Sequence, residues 1–198
     1  MIKKIAVVDY GVGNISSIFG TLNRLGCDTY VGNNEKDLQN SDLVILPGVG
    51  TFPSAIKNLN KKKLILPIKK IAKKNKPILG ICLGMQLLTN SSKELKFSQG
   101  LGLIPGKVLN LNSKKFNIGW SSISVKEKNM FSNFSKKYFY FQHQFRYFGP
   151  KSFIYSVSNT KEKIPCIIKN KNIVGVQFHP EKSQDNGLNF LNKIIQNI

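Results

Sequence analysis

The sequence predicts an α/β fold in which a doubly wound, mostly parallel sheet carries added antiparallel strands. Up to residue 100, short apolar runs alternate with stretches in which apolar residues recur at helical spacing, as in β-α-β units. After Gly100 the apolar runs become shorter and more closely spaced, which is typical of antiparallel strands. The 198 residues, 41% of them hydrophobic, suit one domain over 1–198 and exclude an intrinsically disordered protein.

The first half contains three predicted strands that alternate with helices. Each strand is a continuous apolar run, the pattern of a strand buried on both faces. Each helix has apolar residues three and four positions apart, and Gly26 ends the first of them. In chain order the elements are a strand at 5–9, a helix at 14–25, a strand at 43–46, a helix at 64–75, a strand at 77–81 and a helix from 82 through 88.

The second half is predicted as short strands followed by a closing helix. The strands lie at 107–111, 120–125, 138–143, 153–157, 166–169 and 173–178. We expect them to extend the sheet in antiparallel fashion. Regularly spaced apolar residues then predict a helix over 187–197.

The net charge is strongly positive, because 30 basic residues stand against 10 acidic ones for a formal charge of +20. Such an excess favours a polyanionic partner, either nucleic acid or an anionic membrane. Arg24 and Arg146 are the arginines, however, and the other basic residues are lysines scattered along the chain. Arginine supplies the bidentate fork that suits phosphates and base edges. We therefore interpret the charge as a solvated surface and expect neither nucleic acid nor membrane as a partner.

The cysteines Cys27, Cys82 and Cys166 are odd in number and lack the spacing of metal ligands. This usage disfavours a disulfide framework and a metal site, and it favours a reducing compartment. No apolar run approaches the roughly eighteen residues that a membrane-spanning helix needs. We therefore expect a cytoplasmic protein without a bound metal.

The strongest chemical signal is Cys82, which lies between Gly80 and Gly84 where a predicted strand meets a predicted helix. This is the cysteine form of a nucleophile elbow, in which flanking glycines permit a sharp turn. The positive end of the following helix favours a thiolate, and the backbone N–H of Leu83 is suited to bind an oxyanion. A buried structural cysteine is the plainer interpretation. The junction of strand and helix favours the nucleophile, and the other two cysteines lack that setting.

His179 is the predicted base for this thiol. It ends a predicted strand and is followed by Pro180 and Glu181. Proline favours extended backbone at the residue before it, and residues two apart in an extended segment point to the same side. Glu181 is therefore predicted to orient the imidazole and to stabilise its protonated form. A lone histidine at a strand end is usually structural, but the nearby carboxylate and nucleophile favour catalysis.

The segment 47–50 also follows a predicted strand and should lie at the same carboxyl edge of the sheet. Its glycines permit peptide orientations that other residues resist. A backbone N–H of Val49 or Gly50 is therefore predicted to complete the oxyanion hole begun by Leu83. An ordinary strand-to-helix turn has similar residues, so this motif is informative only together with Cys82.

Together these motifs resemble the triad (class I) glutamine amidotransferases, which hydrolyse the glutamine side-chain amide through a γ-glutamyl thioester. Nearly the whole chain is similar to one group of them, the glutaminase subunits of imidazole glycerol phosphate synthases. The segments that carry this resemblance are Asp9-Tyr10-Gly11-Val12-Gly13-Asn14, Pro47-Gly48-Val49-Gly50-Thr51-Phe52, Gly80-Ile81-Cys82-Leu83-Gly84-Met85-Gln86, Gly119-Trp120 and Gln177-Phe178-His179-Pro180-Glu181-Lys182-Ser183. The first and last are the most discriminating, since the wider family shares the triad.

The resemblance implies a flavodoxin-like fold of the class I glutamine amidotransferase type, and it assigns roles to individual residues. Cys82, His179 and Glu181 form the implied triad. The implied glutamine-binding residues are Gly48, Gln86, His143 and Gln144, and the implied partner-facing residues are Asn14, Trp120, Tyr140 and Lys182. The segment 47–50 corresponds to the element that changes peptide orientation when the partner is engaged.

The resemblance also implies a partner and a route for ammonia. The partner is a cyclase subunit with a (β/α)₈ barrel, bound in a heterodimer, which uses the ammonia to make imidazole glycerol phosphate and AICAR in histidine biosynthesis. No metal or organic cofactor is implied. Glutaminase activity is expected to be very low without the partner.

Two segments depart from the family pattern. The usual His-Ser-Tyr or His-Thr-Tyr is His143-Gln144-Phe145 here, and the usual His-Met-Gly-Trp-Asn is Asn117-Ile118-Gly119-Trp120-Ser121. The first helps to hold the α-amino and α-carboxylate groups of glutamine, and the second lies near the expected partner surface. Two alternatives therefore stay open. One is a paralogous glutaminase that feeds a sugar amidotransferase in surface polysaccharide biosynthesis, and the other is a non-catalytic basic binding module.

Overall fold

A computed structural model describes residues 2–111, 116–126 and 129–197 of the chain. The strands are β1 (Lys4–Val8), β2 (Asp28–Gly32), β3 (Leu43–Leu46), β4 (Ile78–Ile81), β5 (Ser91–Ser92), β6 (Ser98–Gln99), β7 (Lys107–Asn110), β8 (Asn117–Val125), β9 (Tyr138–His143), β10 (Phe145–Phe148), β11 (Ile154–Ser158), β12 (Pro165–Asn170) and β13 (Ile173–Val176). The helices are α1 (Ile15–Arg24), α2 (Glu35–Asn40), α3 (Phe52–Lys61), α4 (Ile65–Lys73), α5 (Leu83–Leu87) and α6 (Gln184–Gln196). Across these ranges, nine strands form the main sheet, in the order β2-β1-β3-β4-β13-β12-β11-β8-β9.

The parallel half of the main sheet is doubly wound, as predicted. β2, β1, β3, β4 and β13 are parallel neighbours in that order, which is the strand order of flavodoxin-like sheets. Successive residues of β1 point to opposite faces: Ile5 belongs to the core cluster that contains residues of α1 and α6, whereas Ala6 belongs to the cluster with α3 and α4. Both faces of the strands are therefore buried under helices, which accounts for their continuous apolar sequence.

The antiparallel half matches the prediction except at two strands. β12, β11, β8 and β9 extend the sheet as antiparallel neighbours. β13, however, pairs parallel to β4 on one side and antiparallel to β12 on the other, so it belongs to both halves. β7 leaves the main sheet and forms a smaller one with β10, β5 and β6. An apolar run indicates a strand but not which strand lies beside it, so the antiparallel prediction was right on only one side of β13, and the sheet predicted for β7 was wrong.

The structure also contains elements beyond the predicted ones, among them β2, α2, α3 and β10. β2 is an edge strand with one buried residue, Gly32, so it lacks the apolar run of the inner strands. α3 has buried Phe52, Ala55 and Leu59 at helical spacing, but a proline and several polar residues interrupt the apolar pattern. α6 begins at Gln184, earlier than the predicted start at 187. None of the helices in the described ranges is long and apolar enough to cross a membrane.

Three parallel neighbours, β3, β4 and β13, end at the same edge of the sheet. β3 continues into the segment 47–50, β4 into Cys82, and β13 into Gln177 and His179. These segments are far apart in sequence, but the parallel order places them side by side. This edge is where doubly wound sheets bind ligands.

Candidate active site

Cys82 occupies a strained turn between β4 and α5. Its backbone has φ +52° and ψ −106°, a conformation that costs a non-glycine residue about 1–3 kcal/mol. The neighbouring glycines allow very close packing: a Cβ on Gly80 would lie 2.6 Å from the Gly84 carbonyl oxygen, and one on Gly84 would lie 1.9 Å from the Leu46 carbonyl oxygen. β3, β4 and α5 therefore pack backbone against backbone, and this packing holds the thiol in place.

His179 and Glu181 form a buried pair. Nδ1 of His179 lies 2.8 Å from Oε1 of Glu181, and both side chains are at most 3% exposed. The backbone N–H of His179 donates to the Tyr140 carbonyl at 2.9 Å, and Ser183 Oγ donates to the His179 carbonyl at 2.6 Å. Pro180–Lys182 forms a 3-10 turn. His179 itself has extended backbone, as predicted, but Glu181 reaches the ring through the turn that follows and not through a continued extended segment.

The surroundings of His179 favour its protonated ring. Burial lowers the pKa of His179, but the side chains of Cys82 and Glu181 outweigh burial and raise that pKa above its ordinary value. Because Glu181 occupies Nδ1, the atom left for proton transfer is Nε2. Nε2 is buried and makes no hydrogen bond to any atom of the described residues. It is therefore available to move a proton between the Cys82 thiol and a bound substrate.

Cys82 lies in the wall of a cavity of about 810 Å³. Seven residues assigned to the site from the sequence line this cavity, namely Val49, Gly50, Cys82, Leu83, Gln86, His143 and Gln144. The remaining lining residues are Thr51, Lys93, Glu94, Leu95, Asn110, Phe116, Ile118, Gln142 and Phe145. Gly48, His179 and Glu181 are not part of the lining. The structure thus places the expected nucleophile, the expected oxyanion donors and most expected glutamine contacts around one space.

The loop after β3 packs directly on the start of α5. A Cβ on Gly48 would lie 2.4 Å from the backbone nitrogen of Gly84 and 2.5 Å from Cβ of Leu83, so glycine alone fits there. Gly50 has φ +107°, which other residues rarely adopt. The N–H of Leu83 belongs to the first turn of α5, where N–H groups have no acceptor within the helix. Gly48 therefore lets the loop after β3 pack against Leu83 and Gly84 at the start of α5.

The two segments that depart from the family pattern contact each other. Nδ2 of Asn117 lies 2.9 Å from Nε2 of His143, and Nδ1 of His143 lies 2.9 Å from the Phe145 carbonyl oxygen. A carbonyl only accepts, so Nδ1 carries the proton and Nε2 accepts from the Asn117 amide. Burial lowers the pKa of His143 to about 4, which agrees with a neutral ring. Gln86 Nε2 donates to the same Phe145 carbonyl at 3.2 Å and joins this unit to α5.

Glu94 is a site residue that the sequence analysis missed. It is a buried lining residue whose carboxylate accepts the Phe52 backbone N–H at 2.8 Å. Burial raises the pKa of Glu94, although the hydrogen bond from Phe52 opposes this. Exposed Lys93 lines the same cavity, so the space is flanked by both signs of charge. Acidic residues are scarce in this chain. An acid twelve positions after Cys82 is therefore unusual, and this is the signal that could have identified Glu94 from the sequence.

Three of the four expected partner-facing residues form a cluster. The rings of Trp120 and Tyr140 pack edge to face with centroids 6.0 Å apart, and Nζ of Lys182 lies 5.8 Å from the centroid of Tyr140. Trp120 is 46% exposed. The fourth residue, Asn14, is exposed and its side chain caps α1. The cluster leaves an aromatic and cationic surface open to solvent.

The other two cysteines differ from Cys82. All three are free thiols, but burial raises the pKa of both Cys27 and Cys166. Neither lines the cavity. Within the described ranges, no group of three or more histidine, cysteine or acidic side chains is placed to hold a metal ion.

Residues 6–196 match the family described as glutamine amidotransferase class-I. The chain is 40% identical over 193 residues to imidazole glycerol phosphate synthase subunit HisH 2 of Vibrio vulnificus (strain YJ016), which covers 93% of this chain and 90% of that protein. It is 41% identical over 191 residues to the imidazole glycerol phosphate synthase subunit HisH of Bacillus cytotoxicus. That alignment covers 94% of this chain and 91% of the relative.

Solved structures share the fold. A chain of PurLQS from Thermotoga maritima matches with a TM-score of 0.81 at 23% identity, over 100% of this chain and 99% of that one. A structure described as a glutamine amidotransferase matches with a TM-score of 0.78 at 15% identity. The match covers 98% of this chain and 99% of that one. At these identities the likeness concerns the fold alone, and it is the fold that the sequence predicts.

Proposed function

The chain belongs to the class-I glutamine amidotransferase family, and from this premise we propose that it is the glutaminase subunit of an imidazole glycerol phosphate synthase. It would hydrolyse L-glutamine to glutamate and ammonia, and pass the ammonia to a cyclase subunit with a (β/α)₈ barrel in histidine biosynthesis. The two HisH relatives support this pathway. Because the family consists of glutamine-hydrolysing enzymes, its membership disfavours a non-catalytic basic module.

One observation carries the proposal. A strained, cavity-lining cysteine follows β4, and the neighbouring strand β13 leads to a buried imidazole whose Nδ1 is held by a buried carboxylate and whose Nε2 has no partner among the described residues. A structural cysteine needs neither the strain nor the partner, since burial alone satisfies it. The arrangement is that of a nucleophile, a base and a group that orients the base.

The first half of the proposed reaction forms the thioester. His179 Nε2 takes the proton of the Cys82 thiol, and Glu181 stabilises the resulting imidazolium. The thiolate adds to the carboxamide carbon of glutamine, and N–H groups of Leu83 and of the segment 49–50 bind the oxyanion. His179 then returns the proton to the leaving nitrogen as the C–N bond breaks, and ammonia departs.

The second half releases glutamate. His179 takes a proton from a water molecule, whose oxygen adds to the thioester carbon. The C–S bond breaks as the tetrahedral intermediate collapses, and the thiolate of Cys82 is regenerated. These steps need no group other than the residues already present in the site.

The charges around the cavity suit glutamine. The Glu94 carboxylate is a buried acceptor for the α-ammonium group, and Lys93 offers a cation on the side where the α-carboxylate can lie. Gln86 lines the wall one helical turn beyond Cys82. An amino acid held at its α-end by these groups extends its carboxamide toward the sulfur.

A partner over the cavity mouth is supported by the exposed apolar side chains there. Val49, Phe116, Ile118 and Trp120 are between 41% and 66% exposed, and the first three line the cavity. Clustered exposed apolar residues mark an interaction surface. A docked cyclase would cover them, exclude water from the thioester and receive the ammonia directly.

The test is glutamate release from glutamine by the chain alone and in complex with a cyclase subunit of a histidine pathway. We expect very low activity alone and strong stimulation in the complex. Cys82→Ala should abolish the stimulated activity because it removes the nucleophile, whereas the matched variant Cys27→Ala should retain it. Activity that survives Cys82→Ala would contradict the assignment.

The substituted segments 117–121 and 143–145 favour a second candidate, a glutaminase that supplies a sugar amidotransferase in surface polysaccharide biosynthesis. Both segments lie at or beside the cavity, where acceptor subunits dock in either case. The same assay separates the candidates. Stimulation by the cyclase supports histidine biosynthesis, and stimulation only by a sugar amidotransferase supports the alternative.

A further inference from the structure

Gln177 is a fully buried amide that the reaction scheme above does not use. It directly follows β13 and is 0% exposed. Its backbone N–H donates to the Cys166 carbonyl at 2.9 Å, so its main-chain donor already has a partner. Burial of a side-chain amide without a partner costs about 1–3 kcal/mol. The side chain therefore needs polar partners of its own.

Both ends of the Gln177 side chain contact residues of the site. Nε2 lies 3.7 Å from Sγ of Cys82, and Oε1 accepts from Gln86 Nε2 at 3.4 Å. Gln86 Nε2 also donates to the Phe145 carbonyl, so it is the donor in both contacts. The reversed amide would set two NH₂ groups against each other. The network therefore directs the N–H of Gln177 at the sulfur.

The backbone explains how one strand end delivers two groups to Cys82. Gln177 and His179 lie two residues apart just beyond the end of β13, where the backbone bends at Gln177 and Phe178. The ring of Phe178 between them stacks on Phe139 at 4.1 Å between centroids. This packing anchors the segment, and Gln177 and His179 on either side of Phe178 are both buried.

The sulfur lies between an acceptor and a donor. As a thiol, Cys82 donates to the Gln142 carbonyl oxygen at 3.7 Å. Once the proton moves from Sγ to Nε2 of His179, that carbonyl faces a negative sulfur and can no longer accept from it. A thiolate needs donors, and the amide N–H of Gln177 is one that is already in place.

We propose that Gln177 is a further catalytic residue whose side-chain N–H binds Sγ of Cys82 and stabilises the thiolate, with Gln86 fixing the orientation of the amide. The exchange involves one proton, which passes from the sulfur to His179. This proposal rests on the proposed role of Cys82 as nucleophile and adds a donor to it. Loss of the donor should make the thiolate form only at higher pH.

The test is the rate at which iodoacetamide alkylates Cys82 as a function of pH, with peptide mass spectrometry to separate Cys82 from Cys27 and Cys166. Gln177→Met keeps the length of the side chain and removes the donor. We expect the midpoint of the alkylation profile to rise by about one pH unit and the rate near neutral pH to fall about tenfold. The matched variant Gln196→Met, on an exposed residue at the end of α6, should leave the profile unchanged.

Two further variants keep the test decisive if Gln177→Met does not fold. Gln177→Asn retains a polar group that is too short to reach the sulfur, and it should shift the midpoint in the same direction. Gln86→Met releases the oxygen end of the amide and should give a smaller shift. An unchanged midpoint in a folded Gln177 variant overturns the proposal. Alkylation of Cys82 needs neither glutamine nor a partner. If the midpoint shifts but the wild-type chain has no glutaminase activity with any partner, the proposed function is rejected while the role of Gln177 at the sulfur stands.

Discussion

The two sides of the cavity are built in different ways. The elbow wall, residues 46–50 and 80–86, consists of backbone segments in direct contact, with glycines where any side chain would collide. The rim wall, residues 116–120 and 142–145, includes the paired ends of β8 and β9, and it lines the cavity with side chains that bond each other, such as Asn117 and His143, and that are in part exposed. The elbow wall retains the family motif and the rim wall departs from it. Chemistry that depends on backbone geometry tolerates little change, whereas recognition by side chains can be rebuilt.

The largest expected effect is on the elbow wall, at Gly84. A Cβ there would lie 1.9 Å from the Leu46 carbonyl oxygen, and backbone cannot move away as a side chain can. Gly84→Ala should lower the free energy of unfolding by at least about 3 kcal/mol and abolish glutaminase activity. Urea unfolding followed by circular dichroism measures the first, and glutamate release measures the second.

Gly20 provides the matched control, because a Cβ there meets nothing within 4 Å and the residue lies within α1. Gly20→Ala should raise the free energy of unfolding by about 0.5–1 kcal/mol, since alanine is the better helix former. If both substitutions had the same small effect, the close packing assigned to the elbow wall would be wrong.

The next effect concerns pH and the rim wall, through His143. The folded-state pKa of His143 is about 4 against an ordinary value of 6.5, so the unfolded chain binds a proton first as the pH falls. The ring should therefore destabilise the fold progressively between pH 6.5 and 4, by about 3 kcal/mol in total, with no further change below. His179 acts mainly above this window, because its folded-state pKa is raised and the stability that this gives is nearly complete once the pH falls below the ordinary value of 6.5.

His143→Gln isolates this contribution. The difference in the free energy of unfolding between wild type and variant, followed from neutral pH down to pH 4, should grow in favour of the variant. Carboxyl groups titrate equally in both proteins and cancel in the difference. A difference independent of pH would show that the ring is not held neutral by burial.

The elbow wall could be predicted from the sequence because its signals are local. The Gly80-Ile81-Cys82-Leu83-Gly84 pattern, an apolar strand and a following helix lie within one stretch of chain, and they predict the turn that the structure shows. The carboxyl-edge rule then predicts that the loop after β3 lies beside it. The same reasoning predicts the doubly wound half of the sheet.

The rest of the site depends on contacts between distant segments, which the sequence does not encode locally. Nothing near Glu94 shows that its carboxylate is buried against Phe52, 42 positions away. Nothing near Asn117 shows that it bonds His143, and each appears from the sequence as a separate departure. The pairing of β7 with β10 was hidden for the same reason, since register and partner are decided by tertiary packing.

A substitution at Glu94 tests whether glutamine binding can be weakened while the catalytic rate is kept. Glu94→Gln keeps the size and a hydrogen-bonding oxygen but removes the charge that we propose for binding the α-ammonium of glutamine. In the complex with the cyclase, KM for glutamine should rise about tenfold while kcat changes little. Glu35→Gln, on a partly exposed acid of α2 that pairs with Lys70 away from the cavity, should leave both constants unchanged. A fall in kcat with an unchanged KM would instead place Glu94 in the chemical step.

The smallest effect is expected at Asn117, on the rim wall. Asn117→Leu removes the donor to His143 Nε2 but leaves the bond from Nδ1 to the Phe145 carbonyl, so the ring keeps one of its two anchors. Loss of one neutral hydrogen bond at a half-buried position should raise KM for glutamine about threefold and leave kcat within about twofold. Asn117→His places the usual family residue there and keeps a ring N–H as donor, so it should behave like wild type. An effect as large as that of Gly84→Ala would mean that the rim wall is as rigid as the elbow wall, and the departure of both segments from the family pattern would then need a functional cause.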